Sequence, residues 1–175
     1  MILPTFQKTA TAKRDYTVDW GTAYPSDTIA SVSWSVPADL TTVATGTTPS
    51  LASIRLAGGL LDQVYVITCT VTLASGQVDR CSFQIAIVPR IVVLTATKDS
   101  GAAIDFTLDA SALFGEAVST YAWTPSGCTI SGATNTSVVR ATGGSSGAIA
   151  YLTCHLVSVG GQEDDRTIEI SIQDR

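Results

Sequence analysis

Hydrophobic and polar residues alternate with a period of two along much of this chain. Across residues 67–73 the odd positions are apolar and the even ones are threonine, which is typical of a strand with one buried and one wet face. Residues 81–87 repeat the alternation. Between them Ala74-Ser75-Gly76 predicts a three-residue hairpin loop whose glycine takes a left-handed conformation. This register sets Cys69 opposite Cys81.

The second half of the chain repeats the first. Lys8 corresponds to Lys98 at a shift of 90 residues, and Trp34 corresponds to Trp123 at a shift of 89 residues. Positions later in the first half match the second half at a shift of 85 residues. The shift changes where loops would tolerate deletion. The repeat predicts two modules, residues 1–89 (module one) and 90–175 (module two), and aligns Met1-Ile2-Leu3 with Ile91-Val92-Val93 as a strand. No helix is predicted, because glycine and β-branched residues interrupt each amphipathic face.

Each module offers about seven short strands with turn residues between them, which predicts an antiparallel sandwich. The order is immunoglobulin-like, so the predicted fold class is all-β, with two tandem immunoglobulin-like antiparallel β-sandwich domains. The expected core residues are Val18, Trp34 and Cys69 in module one and Leu108, Trp123 and Cys154 in module two. Because Val18 and Leu108 occupy the first-cysteine site, the usual inter-sheet disulfide cannot form, and apolar packing must replace it.

Composition and charge exclude some classes of function. Charged residues make up 14% of the chain and hydrophobic ones 45%, which is a globular composition. The net charge is −5 and no Lys/Arg cluster exists, so nucleic-acid binding is not expected. No apolar stretch approaches the roughly 20 residues of a membrane helix. Pro4 and Lys8 break the apolar start, so we expect no secretory leader and synthesis in a reducing compartment.

Candidate chemistry is sparse, and the sequence predicts no catalytic, cofactor or metal site. The single histidine, His155, follows Cys154 on a strand and should point outward, without a nucleophile beside it. Asp15 and Asp19 share a strand face at about 13 Å, too far to share an ion without loop partners. Glu163-Asp164-Asp165 is interpreted as a solvated turn, with a calcium site left open as the alternative.

One stretch resembles a known family. Residues 8–40 contain Asp15-Tyr16-Thr17-Val18-Asp19-Trp20, then Asp27-Thr28-Ile29-Ala30-Ser31, then Trp34. This order is similar to the opening of a family of small tailed-bacteriophage virion proteins, the fibre to tail adaptors. The later segments 55–59, 65–72 and 76–88 also resemble that family. The resemblance covers essentially module one, and module two is a diverged copy that lacks Trp20 and Asp27-Thr28-Ile29.

The resemblance implies a non-enzymatic virion structural protein, a tail or fibre adaptor made in the host bacterial cytoplasm. Its partners would be other phage virion proteins, with symmetric multimers only within the particle. The partner-binding residues expected are Tyr24, Pro25, Ser26 and Asp27, because the resemblance concentrates there and these residues are hard to explain as core. Two alternatives are a capsid decoration protein and a carbohydrate-binding or adhesin module, for which Tyr24, Tyr65 and Tyr151 are the loose aromatic candidates.

The cysteines yield a first prediction. We expect all four thiols to be free, because the first-cysteine sites hold Val18 and Leu108, and the inward cysteines of separate cores cannot meet. A thiol titration in denaturant without reductant should return four thiols per chain. A count of two or none would contradict the disulfide-free core.

Overall fold

A computed structural model describes residues 4–110 and 112–174. The chain divides into two compact units, Met1–Pro89 and Arg90–Arg175. The described residues form strands and turns without a helix, so none of them builds a helix able to cross a membrane. The strand predicted at Met1-Ile2-Leu3 lies outside the described residues.

Module one is a sandwich of a four-stranded and a three-stranded sheet. The first sheet has the order β1-β7-β6-β3, and the second has the order β2-β5-β4. Only the β1–β7 pairing is parallel among these. The strands are β1 (Thr5–Lys8), β2 (Arg14–Asp19), β3 (Ile29–Ser35), β4 (Leu40–Thr47), β5 (Leu51–Gly58), β6 (Val64–Leu73) and β7 (Val78–Ile87).

Module two repeats this topology. Its sheets have the orders β10-β13-β14-β8 and β11-β12-β9, again with one parallel pairing, β14 with β8. This is the immunoglobulin-like arrangement, so the predicted all-β tandem sandwich is confirmed. The strands are β8 (Val92–Asp99), β9 (Ile104–Thr107), β10 (Val118–Ser126), β11 (Thr129–Ile130), β12 (Val138–Thr142), β13 (Ile149–Ser158) and β14 (Glu163–Gln173).

The predicted hairpin register is confirmed. The Leu73 amide donates to the Gln77 carbonyl at 2.8 Å, Gly76 has a φ of 87°, and Cys69 lies opposite Cys81. In module two the Ser158 amide donates to Gln162 in the same way, at 2.9 Å. The hairpin that dominates each core is therefore set by local sequence alone.

The core of module one lies between β5 of one sheet and β6–β7 of the other. Most inward side chains of these strands are at most 3% exposed: Ala52, Ile54, Leu56, Ile67, Cys69, Val71, Leu73, Phe83, Ile85 and Ile87. Val18 and Trp34 are only half-buried, and both pack against the two core clusters of this module. In module two Leu108, Trp123 and Cys154 are all buried.

A buried lysine lies at the same place in both modules. Lys8, at the end of β1, is fully buried, and its Nζ donates to the carbonyl oxygens of Thr9 (2.8 Å) and Gly58 (2.7 Å). Lys98 is also buried, and its Nζ donates to the carbonyls of Asp99 (2.8 Å) and Ser100 (3.4 Å). Carbonyl acceptors offset part of the cost of desolvating each ammonium group.

The repeated aspartates have a structural role. Arg55 binds Asp15 with two hydrogen bonds of 2.8 Å across the β2–β5 pair. Arg140 binds Asp105 with bonds of 2.7 and 2.6 Å across β9–β12. Hydrogen bonds from Arg140 lower the pKa of Asp105 below its usual range. The repeat contains both halves of each pair, but the sequence did not reveal that they meet.

The acidic segment 163–165 is not the solvated turn that the sequence suggested. It begins β14 and continues the pairing with β13. Asp164 is fully buried and pairs with Arg166, with 2.7 Å between Nη2 and Oδ2. Asp165 Oδ1 lies 2.8 Å from Nδ1 of the half-buried His155, so this histidine is hydrogen-bonded to the neighbouring strand.

The core arrangement predicts a contrast between two leucines of module one. Leu56 is fully buried, whereas Leu60 is 58% exposed. We expect Leu56→Ala to lower the free energy of unfolding by about 2–5 kcal/mol, because it leaves a cavity between the sheets. Leu60→Ala should change it by less than about 0.5 kcal/mol. Urea unfolding of both variants is the measurement, and equal losses would contradict the assigned core.

Candidate functional site

The candidate site is the loop that joins β2 to β3, residues 20–28, at one end of module one. Backbone hydrogen bonds fold it into consecutive turns. The Tyr24 amide donates to the Trp20 carbonyl at 2.9 Å, and the Asp27 amide donates to the Tyr24 carbonyl at 3.3 Å. At its start the Trp20 amide donates to Ser50, and the Gly21 amide donates to the Asp19 carboxylate. The loop therefore has a defined backbone shape.

Tyr24 attaches this loop to the β6–β7 hairpin. Its hydroxyl donates to Asp79 Oδ2 at 2.6 Å and accepts from Gln77 Nε2 at 3.0 Å. The ring stacks on Trp20, with 6.4 Å between centroids, and Trp20 itself is buried in the core. The hydrogen bond with Asp79 raises the pKa of Tyr24 and lowers the pKa of Asp79.

Asp27 provides a second attachment to the same hairpin. A hydrogen bond from the Ser75 side chain, followed by one from the Thr28 amide, lowers the pKa of the Asp27 carboxyl. The Thr28 amide lies 2.8 Å from Asp27 Oδ1, and the Thr28 carbonyl accepts from the Ala74 amide at 2.8 Å. The two loops thus form one surface, which we call the loop end of module one (residues 20–28 and 74–79).

The four predicted partner-binding residues divide into two pairs within this surface. Tyr24 and Asp27 are half-buried and hold the loop to the hairpin, whereas Pro25 and Ser26 are exposed between them. A partner would meet Pro25 and Ser26 first. Sequence reasoning missed Gln77 and Asp79, although Gln77 and Gln162 correspond in the repeat and so carried a signal.

Module two uses the corresponding glutamine in a different way. Gln162 Nε2 donates to the Phe114 carbonyl at 3.3 Å and to Glu116 Oε1 at 3.2 Å, and the Val159 amide donates to Ala117. Its β9–β10 loop is therefore also attached to the neighbouring hairpin. However, a carboxylate and a main-chain carbonyl replace the tyrosine, so the two loop ends present different chemistry.

Module two also has a cleft beside its own β9–β10 loop. It has a volume of about 440 Å³, and its walls are mainly apolar, from Ile91, Val93, Leu108 and Leu113, with Asp109 and Arg166 as the charged lining residues. Arg166 is already paired with the buried Asp164. The cleft therefore offers apolar surface rather than an obvious acid and base pair.

The cysteines and the metal-ligating residue types are the remaining groups with possible chemistry. Burial raises the pKa of the Cys69 and Cys154 thiols to about 11, which disfavours the reactive thiolate. Across residues 4–110 and 112–174, no three His, Cys, Asp or Glu side chains are placed to hold a metal ion.

The loose aromatic candidates for sugar binding do not form an exposed row. Tyr65 is buried; its hydroxyl accepts from the Leu60 amide at 2.9 Å and lies 3.2 Å from Asp39 Oδ2. A bond between the hydroxyl of a tyrosine near the start of a strand and the backbone a few residues upstream is a known feature of immunoglobulin-like sandwiches. Tyr151 is half-buried, with Arg90 Cζ 3.8 Å from its ring centroid.

Solved structures similar to this chain include tandem immunoglobulin-like proteins. A chimeric titin Z1Z2 aligns with a TM-score of 0.39 and 8% identity over 99% of this chain and 94% of that one. Tandem Ig repeats of Dlar align with a TM-score of 0.37 and 10% identity over 100% of this chain and 97% of that one. The titin I-band fragment I67-I69 aligns with a TM-score of 0.35 and 11% identity over 98% of this chain. This chain spans 62% of the length of that fragment.

At the level of sequence, no curated protein matches the chain. A family model does, at residues 8–86 and 98–171, and it describes the podophage GP4 fibre-tail adaptor protein gp77. The expectation that the resemblance covers essentially module one is therefore wrong, since the second matched segment lies within module two and begins at Lys98. With most of the chain matched, this protein belongs to the podophage GP4 fibre-tail adaptor (gp77) family.

Proposed function

We propose that this protein is a non-enzymatic structural component of the phage tail that acts by static contact with other virion proteins. The loop end of module one is the docking surface, with Pro25 and Ser26 at its tip. The observation that carries this proposal is the double attachment of the loop to the hairpin, through the Tyr24 hydroxyl to Asp79 and through the Thr28 carbonyl to the Ala74 amide.

A preformed loop suits a structural contact. Ordering a flexible loop on binding costs free energy, and a loop already held in shape avoids that cost. Pro25 adds rigidity at the exposed tip, since its ring fixes φ. The half-buried Tyr24 and Asp27 keep their hydrogen bonds within the module, so they position the tip rather than bind the partner.

The protein is made in the host cytoplasm and multimerises only within the particle. A loop end of this size binds weakly by itself, but symmetric repetition around a ring supplies avidity. The carbohydrate-binding alternative has little support, because Tyr65 is buried and Tyr24 is committed to Asp79. A capsid decoration role would use the same loop end at a different position in the particle.

The attachment of Tyr24 makes a pH-dependent prediction. The Tyr24 hydroxyl lowers the folded-state pKa of Asp79, so its stabilisation is present above the unfolded value, about 3.9, and is lost as the pH falls through the lower folded value. Tyr24→Phe should raise the Asp79 pKa towards the ordinary value and speed amide exchange at residues 22–27. Carboxyl NMR titration measures the first effect and hydrogen exchange the second.

Tyr151→Phe is the matched control, because it removes a half-buried tyrosine hydroxyl from module two. It should leave Asp79 and residues 22–27 unchanged. An Asp79 titration that is the same in Tyr24→Phe as in the wild type would contradict the assigned attachment.

The docking surface is tested in the particle. We expect the double substitution Pro25→Glu and Ser26→Glu to reduce the number of copies per purified virion at least roughly tenfold. Docking would remove two adjacent negative charges from water, and this opposes the contact. The control is Ser145→Glu with Ser146→Glu, two exposed residues of a module two loop, which should incorporate normally. Quantitative mass spectrometry of purified particles is the measurement, and thermal unfolding verifies that both variants fold.

A cryo-EM map of the virion distinguishes the remaining possibilities. Absence of the protein from the particle would overturn the whole proposal. Presence at the capsid surface would replace the tail assignment by decoration. Full incorporation of the Pro25 and Ser26 variant, with the loop end free in solvent, would overturn the docking surface alone.

A further inference from the structure

The strands β3 and β10 occupy equivalent edges of the two four-stranded sheets. The hydrogen bond from the Leu73 amide to Gln77 directs the odd residues of β6 towards β7. The even residues therefore bond to β3, where they face Ser31, Ser33 and Ser35. In an antiparallel pair the bonding direction alternates along each strand, so Val32 and Trp34 direct their amide and carbonyl groups to the outer edge.

In module two this edge is covered by the chain itself. After the short strand β11 the segment 131–137, Ser-Gly-Ala-Thr-Asn-Thr-Ser, leaves the three-stranded sheet and reaches β10. The Trp123 amide donates to the Thr134 carbonyl at 2.9 Å, and the Trp123 indole Nε1 donates to the Thr136 carbonyl at 2.8 Å. The backbone amide and the indole N–H of Trp123 therefore both have acceptors.

In module one the corresponding chain reaches only the start of this edge, where the Pro49 carbonyl accepts from the Ile29 amide at 2.9 Å. The strand β4 pairs with β5 along its length, from Leu40 to Thr47. Within residues 4–110 and 112–174, no loop carbonyl accepts from the Trp34 amide, and the buried Trp34 Nε1 has no hydrogen-bond partner. An unpaired buried donor is destabilising, because it has lost its hydrogen bonds to water without gaining others.

Beyond its first residues, where the register with β6 shifts between Ile29 and Ser31, the edge of β3 also lacks the usual protection. Natural edge strands avoid pairing through charged side chains, proline or a covering loop. The sequence of β3, Ile-Ala-Ser-Val-Ser-Trp-Ser, contains neither charge nor proline, and its exposed face carries Ser31 and Ser33. Its equivalent β10 contains Pro125 and is covered by the segment 131–137.

We propose that β3 accepts an added strand from a partner protein, in the place that the segment 131–137 takes in module two. The partner segment is extended, uncharged and built of small or hydroxyl-bearing residues, because the internal occupant of the equivalent edge has that composition and the serine face of β3 offers no charge to pair. Its carbonyls accept from the Trp34 amide and, once the indole is uncovered, from Nε1. The inference rests on the proposed role in protein contact.

The test uses the full chain in solution and a synthetic peptide with the sequence of residues 129–138. At about 1 mM peptide we expect chemical-shift changes at the Val32 and Trp34 amides and at the Trp34 indole, and slower exchange of those protons. The Trp123 signals should not change, because their acceptors are already present. Sedimentation of the free protein should give a monomer.

Paired variants locate the binding edge. Ser31→Lys with Ser33→Lys should weaken peptide binding at least roughly tenfold, since lysine on an edge opposes strand addition. The equivalent substitutions in module two, Thr120→Lys with Ala122→Lys, are also exposed and should leave binding unchanged.

Three results would overturn the proposal. These are no shift on β3 at this peptide concentration, equal binding by the Ser31 and Ser33 variant, or a β3-dependent dimer of the free protein, which would make a second copy the occupant. None of them requires the particle. Failure here therefore leaves the loop-end experiment intact, and failure of that experiment leaves peptide binding intact.

Discussion

Both modules depend on the burial of one long hairpin against the facing three-stranded sheet. In module one the inward side chains of β6 and β7 are almost completely buried against β5. Each such side chain contributes about 1.5–3 kcal/mol relative to exposure. All four cysteines are free thiols, so no covalent link between the sheets assists this packing. The hairpin also orients the loop at its tip, so the core and the candidate docking surface share one element.

Around this packing the two modules retain the same polar contacts. Each has a buried lysine near the end of its first strand and an Asp–Arg pair between two strands of the smaller sheet. Each also uses its hairpin glutamine to hold the neighbouring loop. Side chains of this kind fix strand register and loop position more than they add stability, since exposed ion pairs contribute little. The repeat is therefore a scaffold on which other surfaces differ.

The differences fall where a partner could bind. Module one has a tyrosine-held loop with an exposed proline and a β3 edge that is open at Trp34, whereas module two has a carboxylate-held loop and a β10 edge that is covered at Trp123. Two copies of one fold in a single chain can thus present unlike surfaces. This asymmetry suits the contact with other virion proteins that we propose for this adaptor family member.

Much of the fold could be predicted from the sequence because it depends on local patterns. Alternating residues defined the hairpin strands, Gly76 defined the turn, and the repeat supplied the second module. The family resemblance directed attention to Tyr24 through Asp27. The start of β14 was missed, because its charged residues 163–165 show no apolar alternation and their burial depends on Arg166 and His155.

Tertiary structure decided the contacts between residues far apart in the chain. Tyr24 meets Asp79 55 residues later, and Asp15 meets Arg55 40 residues later; composition alone does not specify such pairings. The edges differ for the same reason. Whether a segment after the third strand stays with its own sheet, as β4 does, or crosses to cover a tryptophan, as residues 131–137 do, depends on where both sheets place their free hydrogen-bonding groups. That placement exists only once the sandwich has formed.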